Sequence, residues 1–117
     1  MNPGSSDSTR RDERKVLLGM IRTLLNDLRM IQQLGAGYYD SGSFISRYNK
    51  LLEVAKELFT GSRLMETFAP IELISTVDPV DKMKMTQKVL IEGGQLISLI
   101  ESTLARSPES VDGPEGQ

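Results

Sequence analysis

Apolar residues recur at alternating spacings of four and three in two long stretches of this 117-residue chain. This spacing indicates an α-helix with one apolar side, because an α-helix turns once every 3.6 residues. The first stripe consists of Leu17, Ile21, Leu24, Leu28 and Ile31. It predicts a helix over residues 10–34, with Thr9 and Asp12 as a capping pair at its start and Gly35 and Gly37 at its end.

A second stripe with the same spacing predicts a helix over residues 42–60, ended by Gly61. Its members are Phe44, Tyr48, Leu51, Ala55 and Leu58. The link GAGYYDSG between the two stripes is short. A short link favours a reversal of the chain, so we expect the two helices to pack antiparallel.

The sequence Asp78-Pro79-Val80-Asp81 predicts the start of a third helix. Aspartate is a good N-cap, and proline is tolerated at the first helical position because its missing N–H would be unpaired there anyway. We expect this helix to end near Arg106. Its predicted core positions are Val80, Met83, Val89, Leu90, Leu96, Ile97, Ile100 and Leu104.

Two adjacent glycines, Gly93 and Gly94, lie in the middle of the third predicted helix. Each costs an isolated helix about 1 kcal/mol relative to alanine, so their presence needs a reason. Close packing of another helix is the first explanation, a kink is the second, and contact with a ligand is the third.

The segment between the second and third helices, residues 62–77, contains Pro70 and therefore cannot form one continuous helix. It is rich in apolar residues, so we expect a packed connection with one or two helical turns. A short extended piece over ELISTV is the alternative, because β-branched residues cluster there. The apolar residues are Leu64, Met65, Phe68, Ile71, Leu73, Ile74 and Val77.

These elements predict an all-α fold, an antiparallel bundle of three to four helices. We expect one bundle domain over residues 9–106. The ends, residues 1–8 and 107–117, are rich in Gly, Pro, Ser and acidic residues, and we expect both to be disordered. Within the second of these segments, Glu109, Asp112 and Glu115 are not accompanied by any basic residue.

The composition offers little for catalysis. The chain has no histidine and no cysteine, which excludes histidine bases, thiolate nucleophiles and most transition-metal sites. Glu53 and Glu57 lie one turn apart, but neighbouring lysines indicate a charge-balanced surface. The segment 35–37, Gly-Ala-Gly, follows a helix and lacks the third glycine of a dinucleotide loop. We therefore predict no enzyme activity, no catalytic residue, no cofactor and no metal.

The formal net charge is −2, so no general attraction to nucleic acid or to anionic lipid is expected. The chain has no run of apolar residues long enough to cross a membrane. The first fifteen residues contain no apolar core of a signal peptide. Together with the absence of cysteine, these features lead us to expect a cytoplasmic protein.

The leading hypothesis for function is an interaction or oligomerisation module that binds another protein or a second copy of itself. Its motivation is apolar residues lying off the main stripes, with methionine suited to an adaptable contact. A second spot is the link after the first helix, where tyrosines either meet a partner or pack the end of the bundle. The predicted surface residues are Met20, Met30, Tyr38, Tyr39, Arg47, Met85 and Ile91.

The alternative hypothesis is a small regulator that contacts nucleic acid through basic helix starts. This requires the first and third helices to start on the same side of the bundle, so that their cations form one patch. We rank nucleic acid behind protein as a partner. The cations are Arg10, Arg11, Arg14 and Lys15 in the first helix and Lys82, Lys84 and Lys88 in the third.

Overall fold

The computed structural model describes residues 3–34 and 41–106. This part of the chain contains three α-helices and no strand, which confirms the all-α prediction. The helices are α1 (Pro3–Gln33), α2 (Ser41–Leu58) and α3 (Pro79–Ala105), and a single 3₁₀ turn (Met65–Thr67) lies between α2 and α3. They pack as a compact three-helix bundle. A fourth helix does not form in the described residues.

Helix α1 begins at Pro3, seven residues earlier than predicted. Thr9 and Asp12 are therefore inside the helix, and the prediction of a capping pair at this place is wrong. Proline at the first helical position is compatible with the earlier start. The predicted end of α1 holds to within one residue, although Gly35 and Gly37 lie outside the described residues.

Helix α2 ends two residues before the predicted boundary, in a turn that contains Gly61. The φ angle of Gly61 is 93°, and it is the one residue with positive φ in the described chain. Side chains rarely tolerate this conformation, so glycine is the natural residue to end the helix here.

Helix α3 starts at the predicted residue. The backbone N–H of Val80 donates a hydrogen bond of 2.9 Å to Oδ1 of Asp78, which is the N-cap. The predicted core of this helix is partly wrong, because Val80 and Met83 are exposed. Burial in α3 begins only at Met85 and Thr86.

The core is a single apolar cluster to which all three helices and the connector contribute. The most completely buried large side chains come from each of these elements, so each element is part of one core. They are Ile21, Leu25 and Leu28 of α1, Ile45, Tyr48 and Leu52 of α2, Met65 of the 3₁₀ turn, and Val89, Leu96 and Ile100 of α3.

Contacts along the helices establish which parts lie side by side. The guanidinium of Arg14 donates hydrogen bonds of 2.9 and 2.6 Å to the carbonyl oxygen of Leu58, so the start of α1 lies beside the end of α2. Arg22 forms an ion pair with Glu101, close to the end of α3. Further along α1, Leu25 lies against Gly93, eight residues before Glu101.

The two glycines of α3 differ in their surroundings. A Cβ added to Gly93 would lie 2.7 Å from Cδ2 of Leu25, which is closer than packed carbon atoms approach. A Cβ added to Gly94 would have no other group within 4 Å. Close packing therefore occurs at Gly93, and its neighbour is a leucine side chain, whereas the prediction of close packing at Gly94 is wrong.

The connector between α2 and α3 is packed in its first half only. Met65, Phe68 and Ile71 are buried, whereas the apolar residues after Ile71 are exposed. Asn49 of α2 holds this first half through two hydrogen bonds to the backbone of Ile71. Its Nδ2 donates to the carbonyl oxygen at 3.0 Å, and its Oδ1 accepts from the N–H at 2.8 Å.

Candidate functional site

The residues predicted as a partner surface do not form one patch. Met20, Met30 and Ile91 are exposed as expected, and so is Arg47. Met20 and Met30 are ten residues apart, which is about 15 Å along the axis of α1. Tyr38 and Tyr39 lie outside the described residues.

Met85 belongs to the core and not to the surface. Its side chain is 8% exposed, and it is part of the apolar cluster that joins the three helices. The sequence prediction placed Met83 in the core and Met85 outside it. The structure reverses these two positions, because the start of α3 presents a different side to the bundle than the later apolar stripe suggested.

The largest run of exposed apolar side chains is one that the sequence prediction assigned to a packed connection and to a helix core. We name these residues the apolar connector patch: Leu73, Ile74, Val77, Val80 and Met83. Each is about half exposed or more, and Val77 is 90% exposed. The apolar character of these residues does not distinguish buried from exposed positions, so their exposure was not predicted.

Hydrogen bonds at the turn into α3 hold this patch in a defined shape. The backbone N–H of Asp78 donates to Oγ1 of Thr76 at 3.1 Å, and that hydroxyl donates to Oδ2 of Asp81 at 3.3 Å. With the N-cap bond of Asp78, these contacts hold the backbone on both sides of Val77. The exposed apolar side chains are thus displayed by a structured turn.

One side of the patch touches the start of α2. A Cβ on Gly42 would lie 3.6 Å from Cδ1 of Leu73, which is an ordinary contact distance. The patch therefore extends from the connector toward the first residues of α2.

Two shallow grooves lie on the surface of the described residues. The first has a volume of about 460 Å³ and lies between α2 and the connector, lined by Asn49, Lys50, Leu52, Glu53, Lys56 and Pro70. The second has a volume of about 370 Å³ and lies between α1 and α3, lined by Arg22, Thr23, Leu25, Asn26, Arg29 and Ile97. Both are wide open, and neither brings carboxylates together as acid and base catalysis requires.

The basic clusters predicted at the starts of α1 and α3 lie apart. Arg22 is level with Glu101, and Arg14 is about 12 Å from Arg22 toward the start of α1. Lys88 is thirteen residues before Glu101 on α3, which is about 20 Å along the helix axis. It lies on the other side of Glu101 from Arg14, since Leu25, which follows Arg22, contacts Gly93, which precedes Glu101. The two clusters are thus separated by roughly 20 to 30 Å along the helix axes and do not make one patch.

Arg14 is used within the fold. Besides its bonds to the end of α2, its guanidinium lies 4.5 Å from the centre of the Phe59 ring. Burial, followed by repulsion from Arg10 and Arg11, lowers the pKa of Arg14 below its ordinary value. The cation stabilises the packing of α1 against α2, since a guanidinium over an aromatic face is attracted to it.

Tyr48 is the one buried polar side chain in the described residues whose polar atom has no hydrogen-bond partner. The side chain is completely buried, and its hydroxyl oxygen has no donor or acceptor within reach. Burial, with a smaller effect of the charge of Glu92, raises the pKa of Tyr48 far above its ordinary value. The phenol therefore stays neutral, and Tyr48 is a core residue, in agreement with its position in the second apolar stripe.

No group of three or more acidic, histidine or cysteine side chains that could hold a metal ion occurs in residues 3–34 and 41–106. Nor is any helix of this region long and apolar enough to cross a membrane. Glu101 of α3 is engaged in the ion pair with Arg22.

Comparisons with protein-family models, with curated protein sequences and with solved structures find no match.

Proposed function

We propose that this chain is a non-enzymatic interaction module that binds another protein, or a second copy of itself, through the apolar connector patch. The observation that carries the proposal is the exposure of five apolar side chains within residues 73–83. Contiguous apolar surface of this kind, bordered by polar groups, is typical of protein-binding sites. Asp78 and Asp81 supply part of that polar border.

The bundle arrangement that we infer places the patch at one end of the molecule. The link between α1 and α2 has only seven residues, 34–40, and spans at most about 25 Å. Since Arg14 lies beside Leu58, a parallel α2 would leave roughly twice that distance to bridge. Helix α1 is thus antiparallel to α2, and its contacts with Glu101 and Gly93 indicate that it is antiparallel to α3 as well.

Helices α2 and α3 are then parallel, which the long connector allows. The connector leaves the end of α2, passes Asn49 at Ile71 and reaches Gly42 at Leu73. It therefore runs back along α2 before α3 begins. Counting from the pairing of Arg22 with Glu101, the last residue of α1 is roughly level with residue 90, so the first turns of α3 extend past α1 by about 10 Å or more.

This overhang supplies a physical reason for the exposed patch. Val80 and Met83 lie on turns of α3 that have no residue of α1 beside them. Leaving apolar side chains in water forgoes about 25 cal/mol for each Å² of apolar surface that could be buried. A partner that covers the patch would bury this apolar surface, and the burial would contribute favourably to the free energy of binding.

Size-exclusion chromatography with light scattering, over a hundredfold range of concentration, tests the self-association form of the proposal. We expect the mass to rise with concentration for the wild-type chain and to remain monomeric for a variant with Ile74→Ser, Val77→Ser and Met83→Ser. Each substitution is at an exposed position, where the free energy of unfolding changes by about 0.5 kcal/mol or less.

The matched control carries Val16→Ser, Met20→Ser and Ile91→Ser, which removes three exposed apolar side chains elsewhere. It should associate like the wild type. Dissociation by the control set and not by the patch set would contradict the proposed surface. If the wild type is monomeric throughout, the same two variants are compared in capture of a partner from extracts, where only the patch set should lose it.

Nucleic-acid binding is the weaker proposal, because the basic clusters of α1 and α3 are separated. A joint patch would neutralise several phosphates and would make retention on DNA or RNA fall steeply with salt. No retention at low salt would exclude this alternative.

A further inference from the structure

The start of α3 carries two opposite charges beside the apolar connector patch. Asp81 and Lys84 are exposed and lie one turn apart, on neighbouring positions of the helix surface. Asp81 accepts a hydrogen bond from Thr76. The ammonium group of Lys84 forms no hydrogen bond or ion pair within residues 3–34 and 41–106. The border of the patch is therefore mixed in sign, with an acid first and a base one turn later.

These two charges lie on one flank of the apolar residues of the same turns. With 3.6 residues for each turn, Met83 is rotated by about 60° from Val80 around the helix axis. Asp81 and Lys84 are rotated from Val80 by about 100° and about 40° in the opposite direction. The first turns of α3 thus present an apolar strip with a charged flank on one side only.

The apolar connector patch is large enough to form much of a dimer interface. Its five side chains together expose the equivalent of roughly three whole aliphatic side chains, or about 300 Å² of apolar surface. A dimer interface of standard size buries about 800 Å² on each partner, and about 65% of it is apolar in homodimers. The patch therefore supplies more than half of the apolar surface that one copy contributes to such a dimer.

A two-fold axis between two copies of α3 would bring opposite charges together. In an antiparallel pair of helices related by this axis, the same flank of each helix faces the other copy. With Val80 of one copy opposite Met83 of the other, Asp81 of each copy is displaced by about 3 Å along the axis from Lys84 of the other. Both copies then form this attraction, whereas a parallel pair would bring unlike flanks together and form neither.

The mixed border of the patch selects the occupant. A partner with charges of one sign would attract one of the two residues, Asp81 or Lys84, and repel the other. A second copy of the chain presents both signs in reversed order, so that each charge meets its opposite. The charges therefore favour a second copy over an acidic or a basic partner.

We propose that a second copy of this chain covers the apolar connector patch, in a two-fold symmetric dimer that packs the first turns of α3 antiparallel. Asp81 of each copy pairs with Lys84 of the other, and Val80 packs against Met83. This inference rests on the proposed function, because it names the partner of the same surface.

Charge reversal tests the pairing in the full chain. Asp81→Lys and Lys84→Asp, each alone, should weaken the dimer about tenfold at low salt, because two attractions become two repulsions. An equal mixture of the two variants should form a mixed dimer close to wild type in affinity. In that dimer the introduced lysine meets the introduced aspartate, and the remaining Asp81 meets the remaining Lys84. Sedimentation equilibrium measures all four dissociation constants.

Controls separate the pairing from effects on the fold. Asp81→Asn keeps an acceptor for Thr76 and should weaken the dimer less than Asp81→Lys does. Glu57→Lys changes the net charge as Asp81→Lys does, at an exposed position of α2, and should leave the dissociation constant within twofold of wild type. Circular dichroism verifies that each variant keeps its helical content.

The outcomes distinguish this inference from the proposed function. A mixture that associates no better than either reversed chain alone would overturn the antiparallel pairing. A wild-type chain that is monomeric at every concentration would overturn the second copy as occupant, while loss of a captured partner on Ile74→Ser, Val77→Ser and Met83→Ser would still support the proposed function. A dimer that survives those three substitutions would contradict the proposed surface itself.

Discussion

The two halves of the connector have similar composition and opposite environments. Residues 64–71 include Met65, Phe68 and Ile71, all buried, whereas the apolar side chains of residues 72–78 are all exposed. What distinguishes the halves is the contact at Asn49, whose amide pairs with the backbone of Ile71. Up to that point the connector is held against α2, and beyond it the chain leaves the core. Apolar composition by itself therefore does not decide burial.

The largest expected effect compares two neighbours in the first half. Met65 is completely buried and Leu64 is 60% exposed. Met65→Ala should lower the free energy of unfolding by about 2 to 5 kcal/mol, because it removes buried contacts and leaves a cavity. Leu64→Ala should change it by about 0.5 kcal/mol or less. Urea denaturation followed by circular dichroism measures both, and equal losses would contradict the packing described here.

The next effect removes the contact that separates the halves. Asn49→Ala deletes both hydrogen bonds to Ile71 and should cost about 1 to 3 kcal/mol, since it leaves backbone groups without partners. Hydrogen exchange at the N–H of Ile71 should become faster. Lys50→Ala, next in the chain and exposed, serves as the control and should leave that exchange rate unchanged.

A smaller effect tests whether the hydrogen bonds of Asn49, and not its polarity alone, stabilise the fold. Tyr48 precedes it on α2, and its buried hydroxyl has no partner. Tyr48→Phe should therefore be neutral or should stabilise the fold by up to about 1 kcal/mol. A loss as large as that of Asn49→Ala would show that the hydroxyl makes a contact in solution.

The raised pKa of Tyr48 gives this variant a pH signature. Because the folded-state pKa is above the unfolded value near 10, the stability linked to this group is complete below about pH 10 and is lost as pH rises further. Tyr48→Phe should lose less stability than the wild type between about pH 9 and about pH 11. Parallel urea titrations at the two pH values measure the difference.

The smallest effect concerns the exposed half. Gly42→Ala places a methyl group in ordinary contact with Leu73, and it should stabilise the fold by about 0.5 kcal/mol through helix propensity and this contact. Repeating the substitution in a Leu73→Ala background isolates the contact, with an expected coupling of a few tenths of a kcal/mol. Zero coupling would mean that Leu73 does not pack on α2.

The bounds of the helices were predicted well where the sequence has a regular apolar spacing or a capping residue. The stripes of α1 and α2 and the Asp78-Pro79 start of α3 each agree with the structure to within about two residues, apart from the early start of α1 at Pro3. These signals depend on neighbours in the chain, since a cap and a turn of helix involve only a few residues.

The candidate surface was less predictable. Met20 and Ile91 are exposed as expected, but Met85 is buried and Val80 and Met83 are not. Burial in α3 begins only at Met85 and Thr86, so the first turns of this helix lack the packing neighbours that its later turns have. No periodicity within one helix reports where another helix ends.

The sequence by itself determined an all-α fold and the approximate bounds of its helices, since apolar period and capping residues act through contacts within a few residues. Only the tertiary structure decided which half of the connector is buried, that Gly93 and not Gly94 meets Leu25, and that the basic clusters lie apart. These outcomes depend on how the helices align. The long connector permits more than one alignment, and contacts such as Arg22 with Glu101 and Asn49 with Ile71 select one of them.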